Sequence, residues 1–220
     1  MKFKEVTLFG ATGLIGGYLL KALLKDSTIH LINVVGRKPF HLKHDKINST
    51  VVDFTDLNSL SNCINKSEVV YVSIGTTMKR VNGDKLEYRK VDFDIIYNIA
   101  KACKQKSVNH LLFVSSLGAD SKANSFYLSL KGEIEESIHN LDLNCTSVFR
   151  PSVLIGNRNE KRLGESIAQT VMSSLSFAIP SKYKPIKAED VAKSMISVSK
   201  KHKPGFSLYH YKEIKNHLFK

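Results

Sequence analysis

The chain has 220 residues, enough for one domain with a sizeable core, and no internal repeat or Pro/Gly/Ser-rich linker divides it. Apolar residues make up 42% of the composition and charged residues 24%, as in ordinary globular proteins, and no apolar run approaches the roughly 20 residues of a membrane span. The N-terminal apolar run is too short for a secretory signal, so we expect a cytoplasmic protein.

The formal net charge of +13 would suit a nucleic-acid-binding protein, but lysines and arginines are spread along the chain without aromatic–basic alternation. A solvated basic surface is therefore favoured over a nucleic-acid partner. The cysteines, Cys63, Cys103 and Cys145, form no CxxC pair, and the histidines form no HExxH or HxH cluster. We expect reduced cysteines in or near a core and no metal ion.

Short apolar runs alternate with longer amphipathic runs through the first two-thirds of the chain. The predicted strands, in order, are EVTLFG, LINVVG, TVVDF, EVVYVSIG, HLLFVSS and NCTSVFRP. Helices are predicted over 14–25, over 85–106 and around 126–139. This alternation of apolar strands with helices predicts a Rossmann-like α/β fold with a doubly wound parallel sheet. We expect one domain, residues 1–220, in which 151–187 and the C-terminal segment form a small substrate lobe.

The run LFGATGLIGG joins the first predicted strand to the first predicted helix, with glycines three residues apart. Glycine permits a tight turn and close approach of backbone N–H groups to phosphate oxygens, and the helix N-terminus adds partial positive charge. The alternative is that the glycines only permit the turn before the helix and bind no ligand. The predicted pyrophosphate cradle consists of Gly10, Ala11, Thr12, Gly13, Leu14, Ile15 and Gly16.

The end of the second predicted strand indicates which dinucleotide is bound. An NAD site has an acidic residue about 20 positions after the glycines, whereas this chain has Arg37 and Lys38 there. A guanidinium binds a 2′-phosphate bidentately and stacks on adenine, so NADP(H) is favoured over NAD(H). The alternative is that both cations are solvated surface residues.

Further cofactor contacts are predicted where the third and fourth strands end. Asp53, beside Phe54, could accept a hydrogen bond from the adenine amino group, or could only cap the turn before Leu57. The segment containing Ile74, Gly75 and Thr76 places glycine where backbone can lie against the cofactor ribose.

Residues 113–131, FVSSLGADSKANSFYLSLK, hold a possible catalytic group. Tyr127 and Lys131 are four residues apart and so share one helix face. A free tyrosine has a pKa near 10, and a nearby ammonium favours its phenolate. Ser115 or Ser116 would donate a hydrogen bond to the substrate oxygen, with Ser115 preferred, while Tyr127 transfers a proton. A packed ring and a solvated cation are the alternative reading of the pair.

These motifs together resemble the atypical short-chain dehydrogenases/reductases, in the NAD(P)H-binding branch that includes Tat-interacting-protein-like oxidoreductases and NmrA-like proteins. The matching stretches run in family order from about residue 5 to about residue 200: GATGLIGG, VVGRKP, SIGTTMKR, YRKVDFD, FVSSLGAD, YLSLKGEIEE, FRPSVLIGNR and AEDVAKSM. The resemblance implies a Ser115–Tyr127–Lys131 site that also contacts cofactor. It further implies that RPSVLIG, with Pro151, Ser152 and Val153, closes over the nicotinamide.

Two functions follow from this resemblance. The first is an NADP(H)-dependent reductase of a carbonyl-like small molecule, and the second is a non-catalytic NADP(H)-sensing regulator that binds a protein partner. The helix patterns are also compatible with a homodimer. Lys79 and Arg80 could attract an anion or face solvent, and Arg158 could contact substrate or pair at the surface. The tail, 212–220, is expected to pack against the domain or a second subunit.

Overall fold

A computed structural model of the chain describes residues 5–64, 66–156, 180–201 and 203–218. Arg158 and most of the segment predicted to form a substrate lobe lie outside the described residues.

Most strands of the structure belong to one large sheet. The strands are β1 (Glu5–Phe9), β2 (Leu31–Gly36), β3 (Ile47–Val51), β4 (Val69–Val72), β5 (His110–Val114), β6 (Cys145–Phe149), β7 (Leu154–Ile155), β8 (Ile186–Lys187) and β9 (Gly205–Tyr209). Seven of them pair in the order β3-β2-β1-β4-β5-β6-β9, always parallel, and β7 pairs with β8 separately. The strand order reverses between β1 and β4, which confirms the Rossmann-like fold and opens a crevice at their carboxyl ends.

Helices cover both faces of this sheet, which is why the central strands are apolar on both sides. The helices are α1 (Leu14–Lys25), α2 (Leu57–Cys63), α3 (Lys85–Arg89), α4 (Ile95–Gln105), α5 (Phe126–His139), α6 (Ala188–Ser199) and α7 (Tyr211–Asn216). Side chains of α1, α6 and α7 form the core on one face, and those of α2, α4 and α5 form the core on the other.

Two predicted elements differ from the observed ones. The third strand runs over Ile47–Val51 instead of 50–54, because its pairing with β2 extends from Ile47 to Val51 and half-exposed polar residues interrupt its apolar pattern. The helix predicted over 85–106 is divided into α3 and α4 by a π-helical turn, Lys90–Asp94. The turn inserts an extra residue per turn and so changes which side chains face inward.

The C-terminal segment belongs to the main sheet and not to a substrate lobe. β9 pairs with β6 along its length, from Cys145 with Gly205 to Phe149 with Tyr209. α7 packs inward through the fully buried Ile214, and Lys215 Nζ lies 2.6 Å from a carboxylate oxygen of Asp190 on α6. The described part of the basic tail therefore packs against its own domain.

Candidate active site

The glycine turn after β1 is too crowded for side chains. Gly10 has a φ of +85°, which L-residues rarely adopt, and a Cβ there would lie 2.7 Å from the Ser73 carbonyl oxygen. A Cβ on Gly16 would lie 1.9 Å from the Gly10 carbonyl oxygen. Because neither position has room for a Cβ, the first turn of α1 lies close to the ends of β1 and β4 and leaves a surface made of backbone, which fits the pyrophosphate of a dinucleotide.

The first turn of α1 presents its backbone without a side-chain cap. The N-cap residue is Gly13, and both Thr12 and Gly13 are exposed, whereas the side chains of Ala11 and Ile15 are buried. The uncapped N–H groups and the helix dipole together favour an anion at this position.

The two predicted phosphate-binding cations lie beside this turn. β1 and β2 are neighbouring strands, and Phe9 pairs with Val35. Gly10, which follows β1, and Arg37, which follows β2, are therefore at adjacent strand ends. Arg37 and Lys38 are both exposed, and neither makes an ion pair with the described residues. Their charges are thus available to an anion near the glycine turn.

After β3 the two predicted cofactor contacts, Asp53 and Phe54, face different surroundings. The exposed carboxylate of Asp53 accepts hydrogen bonds from the backbone N–H and the hydroxyl of Thr55, both at 2.8 Å, and these bonds lower the pKa of Asp53. Asp53 therefore closes the turn before α2. Phe54 is 6% exposed and its ring packs against Phe9 at 6.0 Å, so its side chain belongs to the core.

One buried carboxylate ties the segment after β4 to α5. Asp92, in the π-helical turn, is 1% exposed and its Oδ2 accepts a hydrogen bond from the backbone N–H of Thr76 at 2.7 Å. Its Oδ1 lies 2.9 Å from Nζ of Lys131, which is itself 4% exposed. π-helical turns of this kind recur at functional sites. Lys131 is therefore inside the protein and is held by Asp92, which no spacing in the sequence indicates as a site residue.

Tyr127 lies one helical turn before Lys131 and is 39% exposed. Its ring meets the buried ring of Tyr88 edge to face, with centroids 6.5 Å apart and planes at 86°. The Tyr88 hydroxyl donates to the Thr76 carbonyl oxygen at 3.4 Å. The structure thus brings Tyr127 and Lys131 together on one helix face beside the segment that follows β4, where Ile74 and Thr76 are half-buried and Gly75 is exposed.

The Ser115 side chain points into the protein and not toward an open site. Its hydroxyl donates to Oε1 of the buried Glu135, whose carboxylate also accepts hydrogen bonds from Arg150: Nε lies 3.0 Å from each oxygen, and Nη2 bonds Oε2. A serine hydroxyl has one proton, so Ser115 has none left for a substrate oxygen. Ser116 is partly exposed, and among the described residues its hydroxyl contacts only the Leu117 carbonyl oxygen, at 3.3 Å.

The segment after β6 packs over the serine loop. The carbonyl oxygen of the buried Pro151 accepts a hydrogen bond from the Leu117 N–H at 3.0 Å. The Ser152 hydroxyl donates to the Lys184 carbonyl oxygen, and Val153 is exposed between these contacts and β7.

This segment also reaches the glycine turn. A Cβ on Gly156 would lie 2.9 Å from Cδ1 of Leu14, at the start of α1. The ends of β1, β4, β5 and β6 therefore meet around one crevice, and most predicted site residues surround it.

Other classes of site receive no support from the described part of the chain. No group of three or more His, Cys, Asp or Glu side chains there could hold a metal ion, and none of its helices is both long and apolar enough to cross a membrane. The three cysteines are free thiols; burial raises the pKa of Cys63 to about 11 and also raises the pKa values of Cys103 and Cys145. High pKa values make these thiols poor nucleophiles at neutral pH.

The sequence matches, over residues 10–201, a family described as NAD(P)H-binding. It is 32% identical over 186 residues to Protein HTATIP2 of Rattus norvegicus, a match that covers 83% of this chain and 76% of that protein. It is 34% identical over 194 residues to Protein FMP52, mitochondrial, of Meyerozyma guilliermondii, covering 86% and 82%. These matches confirm the family resemblance described from the sequence.

Solved structures with little sequence identity share the fold. MoeE5 in complex with UDP-glucose and NAD superposes with a TM-score of 0.71 at 17% identity, covering 96% of this chain and 79% of that chain. UDP-N-acetylglucosamine 4-epimerase from Bacillus cereus gives a TM-score of 0.72 at 18% identity, covering 97% and 81%. At these identities the likeness extends to the fold alone.

The comparisons correct one expectation. A cytoplasmic location was predicted from the lack of a signal or membrane span, but the relatives called FMP52 from Candida albicans, Debaryomyces hansenii and Meyerozyma guilliermondii are all named mitochondrial. These names contradict the prediction of a cytoplasmic location. The prediction failed because composition and apolar runs do not distinguish one aqueous compartment from another.

Proposed function

Because the chain belongs to the NAD(P)H-binding family, we propose that it is an NADP(H)-dependent oxidoreductase that reduces a carbonyl group of a small molecule. The supporting observation is a continuous set of contacts between the two halves of the crevice. The Gly10 turn packs on Ser73, and three residues later Thr76 is bonded to Asp92, which holds Lys131. A cofactor on the glycine turn would therefore lie close to the Tyr127–Lys131 pair.

The residues of the crevice suit each part of NADP(H). The glycine turn and the first turn of α1 would hold the pyrophosphate through backbone N–H groups. Arg37, with Lys38 beside it, would hold the 2′-phosphate, where a carboxylate would repel it. The segments 74–76 and 151–153 would contact the ribose and nicotinamide. Asp53 would serve mainly as a turn cap.

Bound NADPH would supply a hydride to the carbonyl carbon of the substrate. Tyr127 would then give its proton to the carbonyl oxygen, completing the alcohol. Lys131 would stabilise the phenolate that remains, and because an ammonium has three donors, it keeps N–H groups for the ribose hydroxyls besides the one directed at Asp92. Ser116, and not Ser115, would donate a hydrogen bond to the substrate oxygen.

The cofactor half of the proposal is tested by titrating the protein with NADPH and with NADH, following cofactor fluorescence. We expect a preference for NADPH that falls by about 10- to 100-fold in Arg37→Ala, the size of a lost charge-assisted contact. Lys212→Ala removes the same charge from an exposed position on α7, near the opposite edge of the sheet, and should leave both affinities unchanged. Binding of neither cofactor would refute the proposal.

The catalytic half is tested by NADPH oxidation with a panel of aldehydes and ketones. Tyr127→Phe should lower kcat by about 100- to 10,000-fold and leave NADPH affinity unchanged, because it removes one hydroxyl proton. Tyr97→Phe on α4 is the matched control and should keep wild-type turnover. If NADPH binds tightly and no carbonyl compound is reduced, the regulator described above becomes the better account.

A further inference from the structure

Large apolar side chains that stay exposed are concentrated at the crevice. In the described ranges nine such side chains are exposed, and three of these, Leu42, Val51 and Leu208, lie near the two outer edges of the sheet. The other six lie on segments that follow β4, β5 and β6 or that return to β8: Met78, Leu86, Tyr127, Val153, Ile155 and Tyr183. Clustered exposed apolar groups mark ligand-binding surfaces more often than chance exposure does.

Leu86 and Tyr127 are connected through Tyr88, and Met78 lies in the 3₁₀ turn that precedes the helix of Leu86. Tyr88 is buried, its hydroxyl is bonded to the Thr76 carbonyl oxygen at 3.4 Å, and its ring lies against Tyr127. Leu86 lies on the same short helix and is 73% exposed. The Asp84 side chain caps this helix by accepting a hydrogen bond from the Leu86 N–H at 2.7 Å. The helix is held in place, yet it presents its apolar residue to solvent.

The other three are joined by the small sheet. The Ile186 N–H donates to the Val153 carbonyl oxygen at 3.0 Å, and Ile155 pairs with Lys187. Tyr183, half exposed, occupies the 3₁₀ turn just before β8, with the Lys182 ammonium 4.9 Å from its ring centre. Pro151 ties the segment of Val153 and Ile155 to the loop after β5, which leads along the chain to the helix of Tyr127.

We infer, on the basis of the proposed function, that the substrate carries an apolar body, an aliphatic chain or an aromatic ring, next to the carbonyl group. Ligand sites that combine apolar walls with a few convergent polar groups take their affinity mainly from apolar contact. Under the proposed function, the polar groups that meet the substrate oxygen and the cofactor ribose would be the Tyr127 hydroxyl, Ser116 and Lys131. The cations at the rim, Lys79 and Lys182, are exposed, and a solvated ion pair contributes little to affinity.

The experiment measures binding of 1-hexanol, 1-octanol and 1-decanol to the NADPH-loaded protein by calorimetry, because alcohols resemble the product and need no turnover. We expect affinity to increase about fourfold per methylene, the value for burying one CH₂ group. Met78→Asp and Tyr183→Asp should each weaken 1-decanol binding by at least about tenfold, since a carboxylate is costly beside an apolar ligand. NADPH affinity should not change in either variant.

Leu208→Asp is the matched control, because Leu208 is similarly exposed but lies on β9 at the sheet edge. It should bind 1-decanol as the wild type does, and thermal unfolding of all three variants confirms that they are folded. A flat alcohol series, tighter binding of glyoxylate than of 1-decanol, or equal weakening by Leu208→Asp would overturn the inference. Failure to bind NADPH would instead count against the proposed function, and the alcohol series on the cofactor-free protein would still test the apolar surface.

Discussion

Two largely buried ion pairs each have one partner on α5, and these two partners lie on the same face of the helix, one turn apart. Lys131 pairs with Asp92 from the π-helical turn, and Glu135 pairs with Arg150 from the end of β6. Both carboxylate oxygens of Glu135 are occupied, by Arg150 and by Ser115, whereas Lys131 keeps N–H donors beyond the one bonded to Asp92. The difference is that Glu135 has no oxygen left to accept another hydrogen bond, whereas Lys131 has N–H groups left to donate, so burial of a charge does not by itself separate a structural ion pair from a candidate site residue.

The Glu135–Arg150 pair, in which both carboxylate oxygens are occupied, should matter most for stability. Glu135→Ala leaves the mostly buried Arg150 guanidinium without its carboxylate, and we expect the free energy of unfolding to fall by about 3 kcal/mol in urea denaturation. Glu136→Ala, the next residue and exposed, removes a contact with Ser121 and should cost about 0.5 kcal/mol or less. Similar losses in the two variants would mean that the Glu135 pair is not a structural support.

The two serines should separate stability from turnover. Ser116→Ala should lower kcat by about 100- to 1,000-fold, as the loss of one oxyanion donor does, with little change in unfolding. Ser115→Ala should instead lower the free energy of unfolding by about 1.5–3 kcal/mol, the range for a hydrogen bond to a charged group, and keep most turnover. The opposite assignment of the two effects would restore Ser115 as the catalytic serine.

Removing each pair as a whole sharpens the contrast further. Asp92→Asn with Lys131→Met should recover much of the stability lost in either single variant, because no unpaired charge stays buried. It should still weaken NADPH binding by about 10- to 100-fold, since the ribose loses a charged donor. Glu135→Gln with Arg150→Met should leave NADPH affinity within experimental error of the wild type, and a comparable loss there would contradict the division of roles.

Among the three ion pairs of this helix, the smallest effect is expected at the third. Glu133 accepts a hydrogen bond from Arg89 at 2.7 Å, but both side chains are more than a third exposed. Glu133→Ala should change the free energy of unfolding by about 1 kcal/mol or less, because exposed pairs are screened by water and salt. A loss as large as that of Glu135→Ala would show that exposure does not separate the pairs.

The fold could be predicted where a local pattern decides the structure. The central strands and α1 follow from apolar runs and from helical spacing, and the need for glycine at positions 10 and 16 follows from the tight turn between them. β3 and β9 are edge strands with polar or exposed residues, so their sequences lack the apolar pattern of a buried strand. Their positions depend on pairing with β2 and β6, which is a property of the whole sheet.

The candidate site was predicted in part for the same reason. Tyr127 and Lys131 could be placed on one face because their spacing is purely helical. Asp92 could not be chosen over Asp94, because the π-helical turn that directs it inward is not visible in the spacing. The direction of Ser115 was available in principle: strand alternation places it on the same side as Phe113, which packs in the core with α5 residues.

The π-helical turn Lys90–Asp94 makes the site sensitive to chain length as well as to residue type. Deleting one residue there would let α3 and α4 join as a regular helix, and the side chains on one side of the deletion would rotate by about 100° relative to those on the other. The carboxylate of Asp92 would then leave Lys131 and Thr76 without any substitution at the three positions. When relatives are aligned, a single-residue gap between α3 and α4 should therefore be interpreted as a change in the candidate site.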